Sequence, residues 1–235
     1  MPPEAGASGF DSGSRASTQG QETRPCPQNS SFVPSDHYFS EKPAARGGRP
    51  YTIETDLRGF TLKLATEAGV FSRQRVDRGT RLLIKHLQVE PTDRLLDLGC
   101  GYGVVGVVAA LLAPAGRVTL VDINQRAVDL ARRNLRLNAV ENAEVHHGDG
   151  FAPVRGRTFD LIALNPPIRT GLRLVHRLIE EARDHLSAGG RFYLVGRTRQ
   201  GVIRISEKMS QVFGGVEEAA KGGGYRLYVS YRAVL

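Results

Sequence analysis

Asn165, Pro166 and Pro167 follow the apolar run FDLIAL and are residues of a type and order that suggest chemistry. Two successive prolines remove two backbone donors and stiffen the turn, which holds the Asn165 carboxamide and the Pro166 carbonyl in place. Both present hydrogen-bond acceptors. Together they can grip the two protons of an exocyclic amine and aim its lone pair at an electrophilic methyl group. In isolation an N-P-P sequence is a plain strand-ending turn, so its meaning depends on what lies beside it.

A second constellation lies at residues 93–106, DRLLDLGCGYGVVG. The run Arg94 to Leu98 reads as a buried strand with Asp97 at its end, and Gly99, Gly101 and Gly103 precede the apolar stretch Val104 to Leu112, which reads as a helix. A strand that stops in a glycine-rich turn and feeds a helix lets backbone amides approach a ligand closely, because no Cβ intervenes and the helix N-terminus is partly positive. A nucleotide-like cofactor is the implied occupant. The turn alone leaves two candidates open. Gly101, Gly103 and Gly106 match the dinucleotide fingerprint G-x-G-x-x-G, and Asp122 ends the next strand about 20 residues on, which reads as a dehydrogenase. The longer run D-x-G-x-G-x-G instead resembles motif I of the class I S-adenosylmethionine-dependent methyltransferases.

The elements that must position these residues can be read from periodicity. YTIETD and FTLKLAT alternate in strand fashion around Leu57, Arg58 and Gly59, which predicts a hairpin. Asp77 or Thr80 starts a helix carrying Leu82, Leu83, Ile84 and Leu87. After the glycine run come a second strand, Arg117 to Asp122, and a second helix, Gln125 to Asn138. A third strand, AEVHHGD, ends at Asp149, and a fourth spans Phe159 to Pro167. A helix over Leu172 to Leu186 is ended by Ala188, Gly189 and Gly190, and a fifth strand covers Arg191 to Gly196. A helix over Ile205 to Phe213 and a closing strand, Tyr225 to Ser230, complete the pattern. Strands alternating with helices predict an α/β fold, a mostly parallel Rossmann-like sheet covered on both faces. In such a sheet the C-terminal strand ends share one crevice, so Asn165, Asp122, Asp149 and the glycine turn should meet there. Residues 1–35, rich in Gly, Ser, Pro and Gln, are expected to be a disordered tail. Residues 36–90 read as a hairpin and lid-like extension, with ordinary covering of the sheet as the alternative, and residues 91–235 as the cofactor-binding domain.

Composition narrows the partners. The 235-residue chain carries a net charge of +8, and residues 1–35 hold two Arg against three acids, so the remainder is more basic still. A basic domain attracts polyanions, and counterion release puts nucleic acid first among them, although an Arg-rich chain also reflects codon composition. Two cysteines, Cys26 and Cys100, make no disulfide framework, and nothing near them has metal-ligand spacing. His146 and His147 read as surface or core residues, so no metal is expected. The longest apolar run, Val104 to Ala113, is far short of the roughly 20 residues that span a bilayer. No membrane association is expected, and the expected location is cytoplasmic.

The pieces DHYFSEKP, GVFS with VDRGTRLL, LLDLGCGYGVVG, VTLVDIN, NPPIRTG and GGGYR resemble, over about residues 36–232, the class I methyltransferases that modify exocyclic amines. Within them the chain is similar to the small-subunit ribosomal RNA guanine-N2 methyltransferases and their archaeal-type single-domain relatives. The resemblance implies a seven-stranded sheet with an antiparallel last strand, S-adenosylmethionine as donor, an amine target, and ribosomal RNA or the small ribosomal subunit as partner. It also implies roles. Gly99, Gly101 and Gly103 pass beside the methionine portion and Asp97 holds its ammonium. Asp122 accepts from both ribose hydroxyls, and Asp149 accepts from the adenine amine while Ile123 and Phe151 sandwich the ring. Many amine methyltransferases carry an aromatic after N-P-P, where this chain has Ile168. Base stacking must then come from elsewhere, with Tyr38, Phe39 and Phe71 as candidates. Arg169, Arg173 and Arg177, four residues apart, form a candidate phosphate-contacting stripe beside N-P-P.

Methyl transfer to an amine asks little of acids and bases. The sulfonium loses its charge as the nitrogen gains it, so fixed acceptors and alignment matter most, and alignment can be worth roughly 7–11 kcal/mol. Guanine N2 of small-subunit ribosomal RNA is the first expectation for the target. Protein glutamine and adenine N6 are alternatives that the same grip permits, and a non-catalytic RNA-binding factor is an alternative of another class.

Overall fold

The computed structural model describes residues 51–67, 75–166 and 171–234. Strands β1 (Tyr51–Leu57) and β2 (Phe60–Thr66) form the hairpin, turning through Arg58 and Gly59, both with positive φ, 54° and 86°. This is the two-residue primed turn whose twist suits an antiparallel pair. Helix α1 (Arg78–His86) follows, with Asp77 as its N-cap: Asp77 Oδ1 accepts from Gly79 N at 2.8 Å and from Thr80 N at 3.1 Å. Then come β3 (Arg94–Leu98), α2 (Val104–Leu112), β4 (Arg117–Asp122), α3 (Gln125–Leu137), β5 (Ala143–His147) and β6 (Phe159–Leu164). Helix α4 (Leu172–Asp184), β7 (Leu186–Arg197), α5 (Val202–Phe213), β8 (Glu217–Gly222) and β9 (Tyr225–Tyr231) complete the order.

Seven strands form one sheet in the order β5-β4-β3-β6-β7-β9-β8. All pairs from β5 to β7 are parallel, and β9 runs antiparallel to both β7 and β8. The chain steps from β3 outward to β4 and β5, then returns to the other side of β3 with β6. Such a reversal opens a crevice at the carboxyl ends of β3 and β6. Alternation along the strands divides the core in two. Leu95, Leu120, Leu161, Ala163, Tyr193 and Val195 face α1, α2 and α3, whereas Leu96, Leu98, Ile162, Leu164, Phe192 and Leu194 face α4 and α5. Asp97 shares the face of Leu95, which turns its carboxylate toward α2.

Several boundaries differ from the sequence reading: β6 closes at Leu164, before the N-P-P turn, and α5 opens at Val202 rather than Ile205. The third strand stops at His147, so Asp149 lies in the turn beyond it. Helix α4 ends at Asp184, and Leu186, which keeps helical spacing with Ala182, instead opens β7 opposite Phe159. Ala188, Gly189 and Gly190 are absorbed into that strand as an irregularity, with Gly189 N bonded to Arg232 O at 2.9 Å. Strand β8 was not anticipated, because EEAAKG is exposed and shows no apolar alternation; it exists by pairing with β9.

The hairpin is fastened at two points. Arg58 Nη1 donates to the carbonyls of Ile84 (3.1 Å) and Leu87 (2.8 Å), capping the end of α1. On the other side, Asn138 accepts from Lys63 N (3.0 Å) and donates to Lys63 O (2.9 Å), and Asn134 accepts from Ala65 N (2.6 Å) and donates to Ala65 O (2.9 Å). One helical turn of four residues advances ~6 Å and two strand residues ~6.8 Å, so asparagines four apart on α3 match alternate residues of β2. Among the described residues no helix is long and apolar enough to cross a membrane.

Candidate functional site

Adjacent parallel strands deliver the two motifs to one place. Leu98 pairs with Leu164, so the chain leaves β3 into the glycine turn and leaves β6 into Asn165 side by side. A cleft there is lined by Asp97, Gly99, Cys100, Gly101, Tyr102, Asn165 and Pro166, and also by Asp77 and Thr80 from the start of α1.

The glycine turn is bolted to β4. Gly99 N (2.8 Å) and Cys100 N (3.0 Å) both donate to Val121 O, and Gly101 N donates to Asp122 Oδ2 at 2.8 Å. Gly99 and Gly101 have φ of 68° and 56°, conformations a Cβ would strain. Gly106 serves α2's close approach to the sheet: a Cβ there would lie 2.4 Å from Leu120 Cδ2, while its N–H donates to Asp97 Oδ2 at 2.9 Å. Gly103 is the N-cap of α2 and packs toward Ala131. Asn134 Nδ2 also donates to Tyr102 O at 2.8 Å, tying the glycine turn to the hairpin.

Both acids in this region are buried and reluctant to ionise. Burial is the main cause pushing the Asp97 carboxyl up to about 7, against its bond from Gly106. Burial likewise pushes Asp122 up to about 6, opposed by its bonds from Asn124 and Gly101. Each Asp122 oxygen accepts one backbone N–H, Gly101 on one and Asn124 on the other at 2.8 Å. The Ile123 backbone also bears on this carboxylate, and of its roughly four lone-pair sites acceptor capacity remains for a hydroxyl donor. Burial also raises the Cys100 thiol well above its usual range, so it stays protonated and packs as an apolar residue.

Asn165 Nδ2 donates to Thr80 Oγ1 at 2.9 Å, and Asp77 in turn fixes the start of α1 on which Thr80 sits. With Nδ2 engaged, the Oδ1 of Asn165 is the acceptor that remains. Asp77 and Thr80 are the site residues that sequence reasoning missed. Asp77 is legible as a helix cap, but nothing in the sequence tells that this helix start reaches a residue 85 positions away.

The remaining candidates have other partners. Asp149 is paired with Arg177 of α4 (3.0 Å), and Arg177 Nε also lies 3.7 Å from Glu181. Phe151 is buried in the core and stacks on His185, with ring centroids 4.6 Å apart. Ile123 is half-buried, its carbonyl 2.8 Å from His147 Nε2. These three, like Asp122 and Gly103, are not among the residues that wall the cleft itself. Arg173 is exposed on α4. Tyr38, Phe39, Phe71, Pro167, Ile168 and Arg169 lie outside the described residues. Among the described residues no cluster of three or more His, Cys, Asp or Glu could hold a metal ion.

Comparison with known proteins decides between the two cofactor readings of the glycine turn. The family model of the methyltransferase small domain matches residues 61–229. The chain belongs to the methyltransferase small domain family. It is 36% identical over 193 residues to the Bacillus subtilis protein YbxB, covering 81% of this chain and 96% of that one. It is 35% identical over 204 residues to ribosomal RNA small subunit methyltransferase C of Pseudomonas putida, covering 85% of this chain. Among solved structures, a T. thermophilus 16S rRNA N2 methyltransferase in complex with AdoMet and guanosine matches with a TM-score of 0.71 and 25% identity over 78% of this chain. The chain spans 60% of the Pseudomonas protein and 50% of the T. thermophilus one. The seven-stranded sheet with its antiparallel β9 is the class I methyltransferase fold, and the dehydrogenase reading falls away.

Proposed function

We propose that this protein is an S-adenosylmethionine-dependent N-methyltransferase acting on an exocyclic amine of RNA, with guanine N2 of small-subunit ribosomal RNA as the target. The observation that carries this reading is Asn165 beside the glycine turn, its Nδ2 held by Thr80 and its Oδ1 available to an amine in the same cleft. The relatives' names support the substrate class: two act on ribosomal RNA, and one was solved with AdoMet and guanosine.

The residues present fit the donor. A buried acid whose pKa stands near 7 is stabilised in its charged form by a cation beside it, and Asp97 offers that to an ammonium group. The bare backbone of Gly99 to Gly101 lets a ligand approach closely, and Asp122 keeps acceptor capacity beside it for hydroxyls. S-adenosylmethionine would supply an electrophilic methyl group there. Asn165 Oδ1 and the Pro166 carbonyl accept the two amine protons, which turns the nitrogen lone pair toward the glycine turn. Developing positive charge on that nitrogen is met by these fixed acceptors, which need no reorganisation as the reaction proceeds. The proton released afterwards needs no dedicated base, because the alkylated ammonium is acidic and water takes it.

The test is Asn165→Ala, with methyl transfer to RNA and donor binding measured separately. Turnover should fall by roughly 100-fold or more, the scale of losing one positioned polar group, while AdoMet affinity stays within about twofold. Loss of donor binding with normal turnover at saturation would overturn the role. Mass-spectrometric mapping of nucleosides in RNA from a deletion strain should show a missing N2-methylguanosine; a missing N6-methyladenosine, or no change in RNA, would redirect the substrate.

A further inference from the structure

Beside the cleft lies a wider groove. Arg75 and Arg78 wall it where α1 begins, Arg197 and Arg199 wall it at the end of β7, and Tyr225 of β9 lines it. Asp77 lines both the groove and the cleft, so they adjoin at the start of α1. Tyr225 is wedged in position: a Cβ on Gly79 would meet its ring at 2.7 Å, and its hydroxyl accepts from Arg197 Nε at 2.8 Å. The Arg197 guanidinium also lies 5.3 Å from the centroid of that ring. Arg197 is thereby aimed by an uncharged partner that orients it without neutralising it.

Two of these guanidinium groups keep their charge uncancelled. Arg78 and Arg199 are exposed, and among the described residues neither makes an ion pair. Asp77 opposes them little, because its Oδ1 is held by two amides at the positive end of α1. Arg177 of α4 is different, since it is already occupied by Asp149 and Glu181.

We infer that this groove holds the phosphodiester backbone of the RNA strand that leads the target nucleotide into the cleft, through Arg78, Arg197 and Arg199. The inference rests on the proposed function for the identity of the polymer. Guanidinium groups present forked donors that match phosphate oxygens. An enzyme that works on a base edge receives that base out of the stack, so the flanking backbone must lie along the cleft's rim. A nucleic acid meets both demands at once, with anionic phosphates for the groove and amine-bearing bases for the acceptors of Asn165 and Pro166. An acidic polypeptide offers carboxylates, further acceptors, where the cleft wants donors.

The experiment measures anisotropy of a labelled single-stranded RNA with the full-length chain over a salt series, alongside calorimetric AdoMet binding. For Arg78→Ala/Arg199→Ala the RNA Kd should rise tenfold or more, and the slope of log affinity against log salt should flatten by about 1.4, two contacts at ~0.7 each. AdoMet affinity should stay within about twofold, which also reports that the variant is folded. Arg177→Ala, whose guanidinium is already paired with Asp149 and Glu181, should leave RNA binding near wild type. An unchanged Kd and slope in the double variant, a larger loss in Arg177→Ala, no binding of RNA by the wild type, or displacement by poly-L-glutamate as effective per charge as by poly(U) would each overturn the groove. Failure of the wild type to bind AdoMet would instead sink the proposed function, and the anisotropy series would still read the groove.

Discussion

Asp97 sits 4% exposed on the α2 face of β3 with one backbone donor, and its ordinary pKa of 3.8 has risen to about 7. The sign of the consequence is fixed by linkage. The folded state binds this proton more tightly than the unfolded chain, so the contribution to stability is intact at acid pH and is lost as pH rises from about 4 to about 7. At pH 8 the unliganded protein carries that cost, and a cation beside Asp97 offsets it. Asp97→Asn should therefore stabilise the unliganded protein at pH 8 by ~1–3 kcal/mol in denaturant titrations, and weaken AdoMet binding tenfold or more. In the wild type, AdoMet affinity should fall as pH drops from about 8 to about 6, with Asp122 acting in the same direction, and the Asp97 share of that slope should vanish in the variant. A flat wild-type profile would refute the ammonium role. The carboxylates at 97 and 122, the glycines and Asn165 were all legible as residue types at strand ends. The burial of Phe151 fits the core reading that its apolar side chain also permits, but the pairing of Asp149 with Arg177 was not legible, because a stretch of sequence does not show which side chain from a distant helix arrives first.

Helix α3 holds the hairpin through a buried side chain. Asn134 is fully buried, and its carboxamide serves Ala65 N, Ala65 O and Tyr102 O at once. Removing it leaves three backbone polar groups without that partner, and buried unsatisfied groups cost about 1–3 kcal/mol each. Asn134→Ala should thus destabilise by ~3 kcal/mol or more, whereas Asn138→Ala, whose contacts are exposed, should cost ~1 kcal/mol; urea midpoints at constant slope would check both. Equal small losses would mean that water replaces the Asn134 bonds. The hairpin itself was readable from alternation and the Arg58–Gly59 turn, and α2 and β4 from their apolar runs. What attaches the hairpin to α1 and α3 was not readable, since Arg58, Asn134 and Asn138 look like ordinary polar surface residues until the elements are packed.

Across the whole molecule, a parallel core organised around β3 and β6 leaves the ligand-facing loops as extensions of the most buried strands. Donor binding should therefore register as global stabilisation rather than local ordering. At a ligand concentration of about 100 Kd, linkage gives ~2.7 kcal/mol, or a rise of roughly 5–10 °C in Tm for a domain of this size. At one fixed AdoMet concentration the rise should be larger at pH 8 than at pH 6, because protonated Asp97 gains nothing from a cation; an equal rise at both would separate binding from that group. The alternation of strands and helices sufficed to foresee the sheet, yet β8 escaped it, and so did the arginine groove, which is assembled from segments more than 100 residues apart in sequence, Arg78 and Arg197 among them. The asparagine pair on α3 has one more effect. Lys63 and Ala65 turn their amides and carbonyls away from β1, toward the open border of a two-stranded ribbon, and such borders invite foreign polypeptides to zip on. Here those four groups are already taken by carboxamides, so a second molecule meeting that border finds a closed seam, and self-association by strand addition is blocked there by the same side chains that hold the ribbon down.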